Sequence, residues 1–119
     1  MEKKSVLMVI SQERFRDEEL QHPESVFRQK GFAVTIAAPE KKEARGMLGV
    51  TVNPDMTITD AAQRNFDAVV VVGGNGAPQY LWNNQALLNI VRTHHASGKP
   101  VGAICLAPVV LAQAGILKG

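Results

Sequence analysis

The single cysteine, Cys105, stands between an apolar run, Val101 to Ile104, and a segment of helical character that begins near Leu106. Two residues away on either side are Ala103 and Ala107. Small residues there permit the tight strand-to-helix turn that presents a nucleophile, and larger ones would block it. Pro108 falls in the first helical turn, where a missing N–H costs nothing. A helix N-terminus beside the sulfur supplies N–H groups and a partial positive charge that favour thiolate over thiol. The competing reading is a small buried hydrophobe, the usual role of a free cysteine.

Two further groups would reach the same place if the apolar runs are parallel strands, because ligands then gather outside the strands' carboxyl ends. The first is the acidic pair in Phe15-Arg16-Asp17-Glu18-Glu19-Leu20. Adjacent helical residues point about 100° apart, so only one of Glu18 and Glu19 faces the sheet edge. A carboxyl group near a thiolate is disfavoured as an anion, and in its protonated form would donate a hydrogen bond to sulfur. Both acids would equally serve to stabilise the helix dipole. The second group is Gly73-Gly74-Asn75-Gly76, which lets the backbone approach a ligand closely. Its continuation, Ala77-Pro78-Gln79, does not fit a dinucleotide fingerprint, and Gly98-Lys99 runs into Pro100 instead of forming a P-loop. The remaining use is an oxyanion hole in which the Gly74 and Leu106 N–H groups aim at one oxygen, set against an ordinary glycine turn. His22 precedes Pro23 near the acids, which makes it, with Asn75 and Glu18, a candidate neighbour of the site. His94 and His95 lie in the last turn of a helix, where the C-terminal dipole accounts for at least one of them. No histidine or carboxylate spacing reads as a metal site, and no cofactor is expected.

The positioning elements follow from hydrophobic period. Ser5 to Ile10, Phe32 to Ala38, Ala68 to Val72 and Val101 to Ile104 read as buried strands. Asp17 to Lys30, a short turn near Asp60 to Arg64, Gln85 to Ser97 and Val109 to Ala114 read as helical, with Gly31, Gly98 and Gly115 closing three of them. Pro23 predicts a kink in the first helix, or a helix that begins near it. Val50 to Val52, among Gly46, Gly49, Asn53 and Pro54, reads as a small hairpin or edge strand. Strand and helix in alternation imply an α/β fold with a parallel sheet and right-handed crossovers. The sequence ends where another strand is expected, and about three substantial helices cover four or five strands. The reading is therefore of one domain over 1–119, truncated at its C-terminal end and completed by further chain or a partner.

Composition agrees with one globular domain: 119 residues, 45% hydrophobic and 20% charged. Thirteen Lys and Arg against eleven Asp and Glu give a net charge of +2, spread along the chain and too weak to argue for nucleic acid. Val6 to Ile10 is shorter than the roughly 7 apolar residues of a secretory signal, and nothing approaches the ~18 of a membrane span. A lone cysteine leaves no internal disulfide framework or multi-cysteine metal site and suits a cytoplasmic location.

The combined motifs resemble a known family. They are Phe15-x-Asp17-x-Glu19-Leu20-x-x-Pro23, Pro54-Asp55 with Thr59-Asp60-Ala61, Phe66-Asp67-Ala68-Val69-Val70-Val71-Val72-Gly73-Gly74, and Gly98-Lys99-Pro100-Val101-x-Ala103-Ile104-Cys105-x-x-Pro108. Together they are similar to the ThiJ/PfpI superfamily, the group of the parkinsonism-associated deglycase and the archaeal intracellular protease. The resemblance covers essentially the whole chain. It implies a flavodoxin-like three-layer sandwich related to the class I glutamine amidotransferase domain, with Cys105 as nucleophile, Glu19 as its carboxyl partner, and Gly74 with Leu106 as oxyanion donors. It also implies a homodimer. Family members continue past the position of Gly119 with further strands and a helix. Protease-like members carry histidine directly after the cysteine, whereas here Leu106 follows, so neighbours cannot build a Cys-His dyad.

The expected activity is that of a cysteine-dependent glyoxalase or deglycase acting on α-oxoaldehydes or their adducts, with a small-molecule substrate and no membrane or nucleic-acid partner. Two other readings stay open: an intracellular peptidase or amidase acting on peptides, and a redox-sensing or chaperone protein whose Cys105 is oxidised under oxidative stress.

Overall fold

A computed structural model of the chain describes residues 4–103 and 108–115. Strand β1 (Ser5–Val9) leads through the short β2 (Glu13–Phe15) to helix α1 (Asp17–Gln29) and back to β3 (Ala33–Ala38). A hairpin of β4 (Ala44–Gly46) and β5 (Thr51–Val52) follows, then β6 (Met56–Thr57) and the one-turn α2 (Ile58–Ala61). The second half runs β7 (Ala68–Val71), α3 (Ala77–Tyr80), α4 (Gln85–Ala96), β8 (Val101–Ala103) and α5 (Pro108–Ala114).

The main sheet has the order β6-β3-β1-β7-β8, and every neighbouring pair in it is parallel. From β1 the chain builds outward through β3 and β6, then crosses back to add β7 and β8 on the other side. The order thus reverses between β1 and β7, the switch point outside whose carboxyl ends open parallel sheets bind ligands. Side chains alternate between the two faces of a strand, and a parallel sheet buries both. Accordingly, Leu7 and Val9 join Val69, Val71, Ile58, Leu87 and Val110 in one core. Val6, Met8 and Ile10 join Val34, Ile36, Phe15 and Leu20 in the other. The parallel sheet is the one that the period of the apolar runs implies, and the α/β sandwich is the one that the family resemblance implies.

Helix α1 starts at Asp17 and passes through Pro23, so the expectation of a start near Pro23 is corrected. The Arg16 carbonyl accepts from the Glu19 and Leu20 amides, fixing the first turn well before the proline. Gly31 and Gly98 follow the caps of α1 and α4 with φ of 85° and 73°, the left-handed backbone expected of them. The turn expected near Asp60 to Arg64 begins earlier, because the Thr57 hydroxyl accepts from the Asp60 amide and caps α2 at Ile58. The hairpin around Val50 to Val52 is present, while β2 is an addition, pairing with β4 in a separate three-stranded sheet.

His94 serves the core. It is buried, with Nδ1 2.9 Å from the Ile90 carbonyl oxygen and Nε2 3.2 Å from that of Phe66, which ties α4 to the approach to β7. The helix-dipole role expected of at least one of the pair is left to the exposed His95. Among the described residues no helix is long and apolar enough to cross a membrane.

At the amino edge, the Ser5 amide and hydroxyl both donate to Asp67 Oδ2, at 2.7 and 3.3 Å, joining the starts of β1 and β7. The Ser5 amide holds the Asp67 carboxyl below its ordinary 3.8. A depressed carboxyl contributes stability that is present above the unfolded value and lost as pH falls through the folded one. Urea midpoints of Asp67→Asn are therefore expected to fall less steeply than those of the parent as pH drops below 3.8. Parallel acid limbs would show that the contact is made equally in the unfolded chain.

Candidate functional site at the carboxyl edge of the sheet

The segment Ser11–Arg16 leaves β1 and the loop Gly73–Gly76 follows β7, so the two meet at the switch point. Their backbones interlock. The Arg16 amide donates to the Gly73 carbonyl at 2.9 Å, and the Gly76 amide to the Arg14 carbonyl at 3.0 Å. Ser11 Oγ donates to the Glu13 carbonyl at 2.8 Å, bracing the bend.

This approach demands glycine. Gly74 has φ of 117°, and a Cβ on it would lie 2.5 Å from the Arg16 nitrogen and 2.6 Å from the Arg14 oxygen. On Gly76 it would overlap the Glu13 carbonyl oxygen. Across the interface Arg14 takes φ of 59°, a left-handed conformation that costs a non-glycine residue roughly 1–2 kcal/mol. That conformation offers its carbonyl to Gly76, and its guanidinium Nη2 reaches Gln79 Oε1 at 2.9 Å.

The acidic pair divides its work. Glu19 Oε1 accepts the Gly73 N–H at 3.1 Å, so Gly73 is held at both its N–H and its carbonyl, by α1 and the residue before it. Glu18 turns aside: its Oε2 pairs with Arg16 Nε at 2.9 Å, while its buried Oε1 has no partner among the described residues. The Gly74 N–H donates to no other group among the described residues. Asn75 is exposed in the same loop. His22 is exposed on α1, about 4.5 Å of helical rise beyond Glu19 and away from the loops. Cys105 and Leu106 lie outside the described residues.

Two polar residues that were not candidates for the site support this edge. Asp17 is 2% exposed and accepts from the Leu48 and Val50 amides, both at 2.9 Å, so a first-turn acid pins the β4–β5 hairpin instead of facing solvent. A Cβ on Gly46 would collide with its carboxylate, which explains that glycine. Gln12 is buried as well. Its Nε2 donates to the Lys42 and Glu43 carbonyls, and its Oε1 accepts from the Glu40 amide. Their only local signal was polarity beside the end of a strand, which solvent-facing residues share.

A parallel sheet whose order reverses at β1 and β7, with a carboxylate and a glycine loop locked together at that edge, defines a flavodoxin-like α/β domain with a crevice site. Residues 4–119 match the DJ-1/PfpI family, and the chain belongs to it. It is 47% identical over 119 residues to an uncharacterized protein of Methanocaldococcus jannaschii, covering 100% of this chain and 58% of that one. The deglycase PfpI of Pyrococcus furiosus is 36% identical over 113 residues, 95% of this chain and 68% of the relative. Among solved structures, a ThiJ/PfpI domain protein from Brachyspira murdochii superposes with a TM-score of 0.91 at 30% identity, over 99% of this chain and 68% of that chain. DJ-1beta of Drosophila melanogaster gives 0.90 at 28% identity, over 99% and 63%. The chain thus spans 58% to 68% of the length of these relatives.

Gly74→Ala is expected to lose about 1–3 kcal/mol from its left-handed backbone alone, and more from the collision with Arg14 and Arg16. Gly31→Ala, at φ of 85° with nothing within 4 Å, is expected to lose only the conformational part. Guanidinium unfolding of the two variants side by side measures the interlock as the difference, and equal losses would mean that the loops simply move apart.

Proposed function

We propose that this chain carries the nucleophile, carboxyl group and oxyanion donor of a cysteine-dependent glyoxalase or deglycase. The observation that carries the reading is the fixing of Glu19 on the Gly73 amide at the carboxyl edge of β7. Strand β8 ends at Ala103, in register with Val71. Cys105 follows Ala103 by two positions in the chain, as Gly73 follows Val71. The match to deglycases of Pyrococcus and Thermococcus supports the same chemistry.

In the proposed reaction the Cys105 thiolate attacks the aldehyde carbon of an α-oxoaldehyde and forms a hemithioacetal. The oxygen that gains charge accepts from the Gly74 and Leu106 amides. Glu19 gives its proton to that oxygen; the resulting carboxylate then takes the proton from the aldehyde carbon and returns it to the neighbouring carbon while the hydroxyl proton passes to the ketone oxygen, which turns the hemithioacetal into a thioester of the 2-hydroxy acid. Water then hydrolyses the thioester, releasing the acid and the thiol. Because Oε1 accepts the Gly73 N–H, Oε2 is the oxygen left to exchange a proton with substrate. On a glycated amine the same attack at carbon would expel the amine.

Cys105→Ala is expected to abolish methylglyoxal turnover, and retention of full turnover would overturn the mechanism. Glu19→Gln keeps an amide oxygen for Gly73 but has no proton to exchange. It is expected to lower kcat/KM by about 10²–10⁴ with an unchanged melting temperature. Iodoacetamide alkylation should report an apparent Cys105 pKa below the ordinary value of about 8.5, shifted in Glu19→Gln. A thiol that titrates normally in both proteins would leave the cysteine structural.

A further inference from the structure

At the opposite end of the sheet, where α2 and α4 finish and β7 and β8 begin, there is a cavity of about 140 Å³. At about 30 Å³ per water it would hold four or five, the scale of one small ion rather than a nucleotide. Arg64 and Lys99 line it, together with Gln63, Asn65, Asn89, Thr93 and Ser97. No carboxylate is among its lining residues. Neither cation takes part in a salt bridge among the described residues.

The floor is made by the buried Ile90 and His94. Both ring nitrogens of His94 face backbone carbonyls, so the imidazole closes the cavity and leaves the rim groups as ligands. The end of a helix ordinarily repels an anion through its bare carbonyls. Here the Thr93, His94 and His95 carbonyls accept from the Ser97, Lys99 and Gly98 amides, which blunts that repulsion. The Ala61 carbonyl likewise accepts from the Arg64 amide. The lining therefore carries two positive charges, no negative one, and neutral polar side chains able to donate.

We propose that this cavity binds a small tetrahedral oxyanion, free phosphate or a phosphate monoester. Charge-assisted hydrogen bonds from guanidinium and ammonium supply affinity, and the neutral polar residues come from two sides, Gln63 and Asn65 after α2 and Asn89, Thr93 and Ser97 on α4 and its cap. The rim is largely exposed, so binding should weaken as salt screens the two cations. Arg64 also borders a wider groove that contains Asp55 and Asp60, and Lys99 helps to hold Asp67 charged, so neither cation alone defines the site.

The test is isothermal titration of the protein with inorganic phosphate and, separately, with glycerol 3-phosphate, each at constant ionic strength set by sodium chloride. Saturable binding with Kd near ~1 mM or tighter is expected, weakened at least tenfold in R64Q/K99Q. Tighter binding of the ester would point to a phosphorylated metabolite, and equal binding to the free ion. No saturation at concentrations well above ~1 mM, or the same affinity in the double variant, would overturn the proposal. Should that variant not fold, amide chemical shifts of the parent decide. Phosphate-dependent movement centred on Asn65, Thr93 and Ser97 supports the site, and movement centred elsewhere rejects it. None of these outcomes depends on Cys105 chemistry.

Discussion

Everything at the carboxyl edge hangs on the contact between two loops that leave neighbouring parallel strands. The peptide of Gly73 is held on both sides, its carbonyl by the Arg16 amide and its nitrogen by the Glu19 carboxyl group. Such a grip is possible only because Gly74 and Gly76 carry no side chain where the Ser11–Arg16 segment passes. The interlock sets the start of α1 as well, since Arg16 is the residue before its first turn. One backbone contact therefore positions a strand end, a helix start and the carboxylate between them.

That contact gives Glu19 a structural part, on the group that the proposed chemistry would use. An N–H donor on Oε1 fixes the orientation of the carboxyl plane, which a surface glutamate with several free torsions would not keep. Preorganisation of this kind is what lets a proton donor act without first being ordered. Glu18, one position earlier, makes an exposed pair with Arg16 instead. The two acids differ by one step around the helix, and that step separates a group held at the crevice from one held at the surface.

Much of the fold was legible because its causes are local. Val6 to Ile10 had to be a strand buried on both faces, since a continuous apolar run admits no solvent-facing side. Gly31 and Gly98 had to end helices, because left-handed backbone suits glycine. The parts that were not legible have partners far along the chain. Asp17 reads as a first-turn acid until the hairpin at Leu48 and Val50 is folded against it. Gln12 and His94 are likewise ordinary polar residues in the sequence and buried ones in the fold. Strand β2 escaped notice because its residues, Glu13 to Phe15, are short and mostly polar, and it pairs only with β4.

The sequence by itself determined the four long strands and the main helices, how they alternate, and that a cysteine, an acidic pair and a glycine loop each follow or adjoin a strand end. Hydrophobic period and helix-end chemistry act within a few residues and need no knowledge of the rest of the chain. Tertiary structure alone decided that Glu19 meets Gly73, that Asp17 and Gln12 turn inward, and that two cations gather around a cavity at the far edge. Each depends on the register of β1 against β3 and β7, which brings together groups as far apart in sequence as the 54 positions between Glu19 and Gly73.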